Sequence, residues 1–310
     1  MGVLPFFHVF AMTVVMNLGI MKAMKIVIHP RFELKPLLAD IEAKKPTIMP
    51  GVPTMYTALL NYSKSDKYDL SSLKMCISGG APLPVEIKEK FEAQTGCKLV
   101  EGYGLSESSP IVAVNPLYGS TKAGSIGQPL SGTILEVISL EDEKTVMPQG
   151  EKGEICIRGP QVMQGYYEKT EDTADVLRRI EGSNELRLHT GDIGMMDEEG
   201  FFTIVDRKKE MILSGGYNIY PRNIEEVLYT HDAIAECAVV GIPHKSRGQV
   251  PKAFIVLKDG ASLDATECKE FLKENMSLYA IPAKFEFRDE LPKSMIGKIL
   301  KKELLVEEED

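Results

Sequence analysis

Two glycine-rich loops in this chain each follow a short apolar segment and carry polar side chains. The first loop is SGGA at residues 78–81, and the second is GYGLSE at residues 102–107. Glycine lets a backbone approach a flat ring or a phosphate closely, and Glu107 offers a hard oxygen ligand for Mg²⁺. Ligands of α/β proteins bind where loops leave the carboxyl ends of strands, which is where both loops are expected. For either loop alone, an ordinary tight turn explains the glycines equally well. A predicted ligand site therefore has to rest on the combination of the two loops with other motifs.

A third feature is the stretch VDRKKEMILSGGYNIYP at residues 205–221. Its charged run at residues 206–210 contains no proline and lies between two apolar segments. Gly215 and Gly216 then favour a turn, because glycine accepts a positive φ that other residues resist. We expect a hinge between two domains at residues 206–210. A β-hairpin with a solvated tip is the local alternative.

Length and composition bound the class of protein. The 310 residues suffice for two domains or more, and 44% hydrophobic and 26% charged residues are typical of a soluble globular protein. The net charge of −9 argues against a nucleic-acid surface, which needs a basic patch. The five cysteines lack the paired spacing of a zinc site or a disulfide framework, which indicates buried thiols in a reducing compartment.

The apolar run at residues 9–20 bears on localisation. Lys22 and Lys25 end it short of the ~20 apolar residues that a membrane span needs. No positive region precedes it and no small-residue cleavage site follows it, which argues against a secretion signal. We expect a cytoplasmic protein. Peripheral association with the inner face of the membrane and a homodimer are both left open.

The order of short strands and helices predicts the fold. Residues 1–118 alternate apolar strands, loops and helices, a pattern typical of a parallel sheet covered by helices on both faces. Residues 119–205 change to short strands between glycine-rich turns, which predicts a small antiparallel barrel or sandwich. Residues 211–310 follow the hinge as a small α+β domain. The predicted fold class is therefore α/β.

Seven motifs stand in one order along the chain. They are LPFFHVF at 4–10, SGGAPL at 78–83, GYGLSE at 102–107, GEICIRG at 153–159, HTGD at 189–192, DRKKE at 206–210 and LPKSMIGK at 291–298. In this combination the chain resembles the adenylate-forming (AMP-dependent) acyl-CoA synthetase superfamily. Within that superfamily it is most similar to the long-chain fatty-acid CoA ligases. The resemblance covers the whole chain, and chance agreement at all seven motifs is not credible.

The resemblance implies a site for ATP and AMP in the two glycine-rich loops. Tyr103 would stack on adenine, with Gly80 and Ala81 packed near the ring. The backbone at Gly102 and Gly104 would serve the edge of the base. Ordinary aromatic packing is the alternative for Tyr103.

The resemblance also assigns polar residues. Asp192, an acceptor when ionised, suits the paired ribose hydroxyls, with a turn cap as its alternative. Arg207 brings a fork of donors to ribose or phosphate, with a surface charge as its alternative. Ser106 would keep a hydroxyl near Mg²⁺, whose ligand would be Glu107, which we also place among the catalytic residues. His8 would line the acyl site beside the attacking carboxylate, with a core histidine as its alternative.

Lys298 is the catalytic cation that the resemblance implies. Negative charge builds on the phosphoryl oxygens when a carboxylate attacks the α-phosphate, and a cation aimed there lowers the barrier. The alternative is one of several lysines on a basic C-terminal face. Lys209 would be the hinge residue, and Gly215 and Gly216 would line the path of the pantetheine arm of CoA.

One departure from the family pattern matters. The family carries a Ser/Thr/Gly-rich phosphate loop before the position that matches residues 4–10, and these 310 residues contain none. We therefore expect the C-terminal part of such an enzyme: the remainder of a large N-terminal domain, followed by a small mobile domain. The expected function is ATP-dependent activation of a fatty acid and its transfer to CoA, with activity of the chain alone in doubt. The alternatives are another acyl- or aryl-CoA ligase, an amino-acid-activating module, or a non-catalytic module that binds AMP or acyl-CoA.

Overall fold

The computed structural model describes residues 1–62, 67–295 and 297–306. The chain divides into two compact units, Met1–Ile204 and Val205–Asp310. The sequence-predicted boundaries near residues 118 and 206–210, and the motion at the hinge, stay predictions.

The first sheet of the N-terminal unit has the strand order β1-β2-β3-β4-β5. Its strands are β1 (Ile48–Gly51), β2 (Met75–Ser78), β3 (Lys98–Gly104), β4 (Ile111–Val114) and β5 (Gln128–Pro129). The strands β1, β2 and β3 run parallel, whereas β4 and β5 are antiparallel to their neighbours. The α/β class is therefore confirmed, with parallel pairing over three strands.

Helices precede β1 or connect β1 with β2 and β2 with β3. They are α1 (Val9–Ala11), a π-helical segment (Met12–Asn17), α2 (Leu18–Met21), α3 (Leu34–Lys44), α4 (Pro53–Asn61) and α5 (Val85–Thr95). Pro53 stands in the first turn of α4, where its missing N–H costs no hydrogen bond. Gly96 ends α5 with a φ of +67°. Leu38, Tyr56 and Phe91, one from each of α3, α4 and α5, are fully buried in the same apolar core.

The second sheet of the N-terminal unit is antiparallel, as the glycine-rich turns predict. Its order is β10-β9-β7-β6, with β8 paired to β9. The strands are β6 (Ile134–Ile138), β7 (Gly153–Arg158), β8 (Leu177–Arg179), β9 (Leu186–Met196) and β10 (Phe202–Arg207), and helix α6 (Thr170–Val176) lies before β8. A separate core of apolar side chains, among them Ile155, Leu188 and Phe202, packs on this sheet.

The C-terminal unit contains one sheet and three α-helices among its described residues. The strands are β11 (Ile212–Ser214), β12 (Tyr217–Ile219), β13 (Ile234–His244), β14 (Gly248–Leu257) and β15 (Lys284–Phe287). The helices are α7 (Pro221–Tyr229), α8 (Ala265–Asn275) and α9 (Lys301–Val306). The order is β12-β11-β14-β13, and β15 lies parallel to β14. Helix α8 begins with a reciprocal cap, in which Asp264 and Glu267 each accept the other's backbone N–H.

Both faces of this sheet are covered, as alternate residues of β13 show. Cys237 and Val239 belong to one apolar core. Ala238 and Val240, their neighbours on the opposite face, belong to a second core with Leu304 of α9.

No helix in the described part of the chain is long and apolar enough to cross a membrane.

Exposed apolar side chains gather at residues 20–28 of the N-terminal unit. Ile20 and Met21 are both 71% exposed, and Ile28 is 59% exposed.

We expect this surface to bind a hydrophobic dye, because contiguous apolar surface of this kind marks an interface or an aggregation site. The double variant Ile20→Ser, Met21→Ser should give lower dye fluorescence than the parent chain. Tyr118→Ser, at a side chain 92% exposed, is the matched control. Equal fluorescence in the double variant and the parent would contradict the expectation.

Candidate active site

The two glycine-rich loops lie side by side at one edge of the first sheet. The parallel pairing of β2 and β3 sets Ser78, the last residue of β2, opposite Glu101, so the two loops begin at neighbouring positions. A Cβ on Gly79 would stand 3.4 Å from the carbonyl oxygen of Gly102. A Cβ on Gly104 would fall 1.7 Å from the carbonyl oxygen of Pro110, which only glycine avoids. The sequence therefore predicted correctly that the two loops are neighbours.

The first loop offers an unused polar group. Ser78 is fully buried, and its Oγ lacks a hydrogen-bond partner in the part of the chain that the structure describes. Gly80, two residues on, is exposed with a φ of +81°. The loop is supported from below, because Leu83 donates its N–H to the buried Glu101 (3.3 Å). A buried hydroxyl beside an open backbone turn fits a site for a polar ligand such as a nucleotide.

The second loop is joined to a motif far away in sequence. The hydroxyl of Tyr103 donates to Oδ2 of Asp192 at 2.6 Å, across 89 positions of the chain. Asp192 is 6% exposed, and its loop belongs to β9 of the second sheet. The residues expected at adenine and at ribose are thereby brought into direct contact.

Glu107, the expected Mg²⁺ ligand, is also held in place. The hydroxyl of Tyr166 donates to its Oε1 at 2.7 Å, and Met163 donates its N–H to the Glu107 carbonyl oxygen at 2.8 Å. Burial, followed by the hydrogen bond to Glu107, raises the pKa of Tyr166 to about 12, so this hydroxyl remains a donor at neutral pH. A half-buried carboxylate fixed at an open edge fits a hard divalent cation. Ser106, beside it, is exposed.

Other expected site residues have local contacts. His8 caps helix α1: its Nδ1 accepts the N–H of Phe10 at 3.3 Å. The role of His8 at an acyl site stays a prediction. Ala81 is half-buried at the rim of the first loop.

In the C-terminal unit, Gly215 and Gly216 form the two-residue turn between β11 and β12. Their φ values are +57° and +86°, as the sequence predicted. Positive φ at both central residues is what the hairpin turn that suits strand twist demands. Gly215 donates its N–H to the Arg247 carbonyl oxygen at 2.8 Å, and both glycines are exposed.

Lys298 ends a tight loop in the same unit. Ser294 organises it: its N–H donates to the Lys298 carbonyl oxygen (2.8 Å), and its Oγ accepts the Lys298 N–H (3.1 Å). Gly297 has a φ of +82° and donates to the Ser294 carbonyl oxygen at 2.8 Å. Residue 296 of this motif lies outside the described residues. These hydrogen bonds hold the backbone of the loop at Lys298 in place.

The expected hinge run contains one buried residue, Asp206. Its Oδ1 accepts the N–H of Arg207 (2.7 Å), and its Oδ2 accepts the N–H of Arg222 (3.1 Å) at the start of α7. Nearby, Lys301 pairs with Glu225 (2.7 Å) and with Glu210 (3.3 Å). These contacts tie the run to α7 and α9 within one unit.

Two further residues of that run have expected roles. Arg207 and Lys209 are exposed, and their roles at ribose and at the hinge stay predictions.

Burial raises the pKa of Asp206 to about 6, although the charge of Lys301 and the two backbone donors act in the opposite direction. The ordinary value is 3.8, so the folded state keeps a proton that the unfolded chain has already lost. The contribution of Asp206 to the free energy of unfolding therefore falls as the pH rises from about 4 to about 6.

Comparison with known proteins identifies the family. The sequence profile of the AMP-binding enzyme family matches residues 1–167, and that of the AMP-binding enzyme C-terminal domain matches residues 223–298. The chain therefore belongs to the AMP-binding enzymes.

Curated relatives give the range of activities. A long-chain-fatty-acid–CoA ligase of Bacillus subtilis is 50% identical over 308 residues, covering 99% of this chain and 54% of that protein. A feruloyl-CoA synthase of an Amycolatopsis species is 37% identical over 301 residues, covering 97% of this chain and 60% of that protein. The chain thus spans about half the length of the curated relatives it matches.

Solved structures share the fold. ATP-bound MatB from Rhodopseudomonas palustris superimposes with a TM-score of 0.90 at 30% identity, covering 100% of this chain and 60% of that one. An anthranilate CoA ligase in complex with anthranoyl-AMP gives 0.89 at 30% identity, covering 97% and 58%.

The burial of Asp206 and the nearby charge of Lys301 predict a titration. In a ¹³C NMR titration, the Asp206 carboxyl signal should show a midpoint near pH 6. Lys301→Met should raise that midpoint, because it removes the positive charge that favours the carboxylate. Lys302→Met, at an exposed neighbour, is the control and should leave the midpoint unchanged. A midpoint near 4 in the parent chain would show that burial does not govern this carboxyl.

Proposed function

We propose that the intact protein is an AMP-forming long-chain fatty-acid–CoA ligase, of which this chain supplies the adenine and ribose contacts and the mobile C-terminal domain. The observation that carries the proposal is the hydrogen bond between Tyr103 and Asp192, which joins the residues expected at adenine and at ribose. Relatives named long-chain-fatty-acid–CoA ligase, at 40–50% identity, support this substrate class.

The reaction has two steps. In the first, a carboxylate oxygen of the fatty acid attacks the α-phosphorus of ATP, the bond to pyrophosphate breaks, and acyl-AMP forms. In the second, the sulfur of CoA attacks the acyl carbonyl carbon, AMP leaves with the bonding electron pair, and the thiol proton passes to solvent.

The N-terminal unit would bind the nucleotide. Tyr103 offers a ring face to adenine, and Asp192 accepts hydrogen bonds from the ribose hydroxyls. Glu107 is the residue that would hold Mg²⁺, and the bound cation would neutralise phosphate charge.

The C-terminal unit would serve the two steps in turn. Lys298 would donate to the α-phosphate as its oxygens gain charge, and desolvation makes such a contact worth several kcal/mol. After rotation at residues 206–210, the turn at Gly215 and Gly216 would line the pantetheine path. Arg207, at the pivot, would contact the ribose or a phosphate.

An aryl-CoA ligase is the second candidate. The feruloyl-CoA synthase at 37% identity and the anthranilate CoA ligase structure favour it. Rates with palmitate and with ferulate, measured on the intact protein, separate the two. An amino-acid substrate is disfavoured, because residues 4–10 and 52–56 supply no carboxylate for an ammonium group.

A third candidate is a non-catalytic module that binds AMP or acyl-CoA; turnover by this chain would exclude it. We place the protein in the cytoplasm, where ATP, CoA and reduced thiols occur together.

The missing phosphate loop predicts the behaviour of the 310-residue chain alone. We expect at most traces of ATP–pyrophosphate exchange with palmitate and excess Mg²⁺, because nothing in the sequence replaces the loop that cradles the β- and γ-phosphates. Robust exchange by the purified chain would show that the loop is dispensable.

The two half-reactions can be separated in the full-length protein. Lys298→Ala should slow ATP-driven adenylate formation ~10²-fold or more, while the rate from synthetic acyl-adenylate plus CoA largely survives. Gly216→Leu should do the reverse, by filling the pantetheine path. Lys302→Ala, at an exposed neighbouring lysine, is the control for charge and should affect neither step. Equal slowing of both steps by Lys298→Ala would refute its role and the rotation.

A further inference from the structure

A break in strand pairing places the HTGD motif. Strands β7 and β9 pair Cys156 with His189 and Glu154 with Ile193, so one residue of β7, Ile155, stands opposite three residues of β9. Residues 190–192 therefore bulge out of the ladder. Bulged residues lose their regular partners, and their backbone groups must be satisfied in another way.

Glu154 satisfies them from the facing strand. Its side chain is 5% exposed, and a buried carboxylate is costly unless several donors surround it. Oε1 accepts the N–H of Gly191 at 2.8 Å, and Oε2 lies 3.0 Å from Nδ1 of His189. One carboxylate thus contacts the bulge at its base and at its tip.

The chemistry of these groups sets the proton positions. An ionised carboxylate only accepts, so with Glu154 ionised the contact requires the hydrogen on Nδ1 of His189. Sγ of Cys156 also lies near this nitrogen, at 3.5 Å. Burial is the largest of the effects that raise the pKa of Cys156, and the thiol stays neutral. Glu154 and His189 therefore form a hydrogen-bonded pair, and the neutral thiol of Cys156 lies beside it.

The bulge ends at Asp192, the residue that would face the nucleotide. Thr190 adds a second brace, donating its hydroxyl to the Ile155 carbonyl oxygen (2.7 Å) and accepting the N–H of Asp192 (3.0 Å). Gly191 has a φ of +74°, which redirects the chain at the tip. Asp192 then meets the Tyr103 hydroxyl. Fixing the Gly191 peptide therefore fixes the position of the Asp192 carboxylate.

We propose that Glu154 is a positioning residue that holds the 190–192 bulge in the shape that presents Asp192 to the ribose hydroxyls of the nucleotide. The role at the ribose rests on the proposed function, because that function supplies the nucleotide. The role of Glu154 in holding the bulge does not depend on a ligand. Glu154 lies in the motif GEICIRG at 153–159, but the sequence pattern alone gives its side chain no role. The assignment comes from the two contacts and the broken register.

The first test uses the 310-residue chain without ligand. Hydrogen exchange by NMR should show the Gly191 amide at least about 10-fold less protected in Glu154→Ala, because its acceptor is gone. Glu154→Gln should retain most of the protection, since its amide oxygen can still accept. In this variant the ¹⁵N shifts of His189 should report loss of the hydrogen from Nδ1 if the amide nitrogen faces the ring.

The matched control is Glu136→Gln. Glu136 is a partly buried carboxylate on β6 of the same sheet, and it pairs with Arg158 and Arg187. We expect it to leave the Gly191 amide unchanged. Unaltered protection of the Gly191 amide in Glu154→Ala, or an equal loss of protection in Glu136→Gln, would overturn the proposal that Glu154 holds the bulge.

The second test compares AMP with 2′,3′-dideoxy-AMP by calorimetry. Glu154→Ala should weaken AMP binding about 10-fold, because a charge-assisted contact to the hydroxyls is lost. Binding of the dideoxy nucleotide should change less than about twofold, because this nucleotide lacks the hydroxyls that Asp192 would contact. Equal weakening for both nucleotides would show general damage and refute the positioning role.

Failure of the two ideas can be told apart. If the unsubstituted chain binds neither nucleotide, the proposed function fails, while the exchange of Gly191 still decides whether Glu154 holds the bulge. If AMP binds and Glu154→Ala leaves its affinity unchanged, the positioning role fails and the proposed function stands.

Discussion

The hydrogen bond from Tyr103 to Asp192 is the contact on which the N-terminal unit's site depends. A carboxylate as buried as Asp192 is destabilising unless donors compensate it, and a hydrogen bond to a charged group contributes about 1.5–3 kcal/mol. This one joins the end of a strand in the first sheet to a bulge in the second. The two sheets therefore share a polar contact at the place where a nucleotide would bind, and the position of each loop depends on the other.

The groups that could perform chemistry are held by hydrogen-bond partners, most of which lie elsewhere in the chain. Glu101 supports the first loop, Tyr166 holds Glu107, and Glu154 holds the HTGD bulge. In the C-terminal unit, Ser294 organises the Lys298 loop. Such supports keep reactive groups in a fixed orientation before a ligand arrives, so little energy is spent on ordering them when it binds.

Much of this could be predicted from sequence where the determinant is local. The double-glycine turn at 215–216 follows from conformational freedom, and α8 begins at its acidic cap. The alternation of strands and helices and the proximity of the two glycine loops were also predicted correctly.

Features that depend on distant contacts could not be predicted. The pairing of Tyr166 with Glu107 joins residues 59 positions apart, and the bulge at residues 190–192 depends on the register of a facing strand. The apolar pattern after residues 4–10 predicts a helix to about Met24, which is wrong in part: a π-helical segment interrupts the helix, and it ends at Met21. The short apolar pattern at residues 25–29 predicts a strand, but the structure has there a single bridge from Ile28 to Gly2.

The central claim is that the N-terminal unit of this chain carries a formed adenylate site. The most direct measurement is a calorimetric titration of the 310-residue chain with a non-hydrolysable acyl-adenylate, beside the variant Asp192→Asn. We predict one binding site per chain, with an affinity about 10-fold or more lower in the variant, because a charge-assisted hydrogen bond becomes a neutral one. Equal affinity in the two proteins, or no binding by the parent chain, would contradict the central claim.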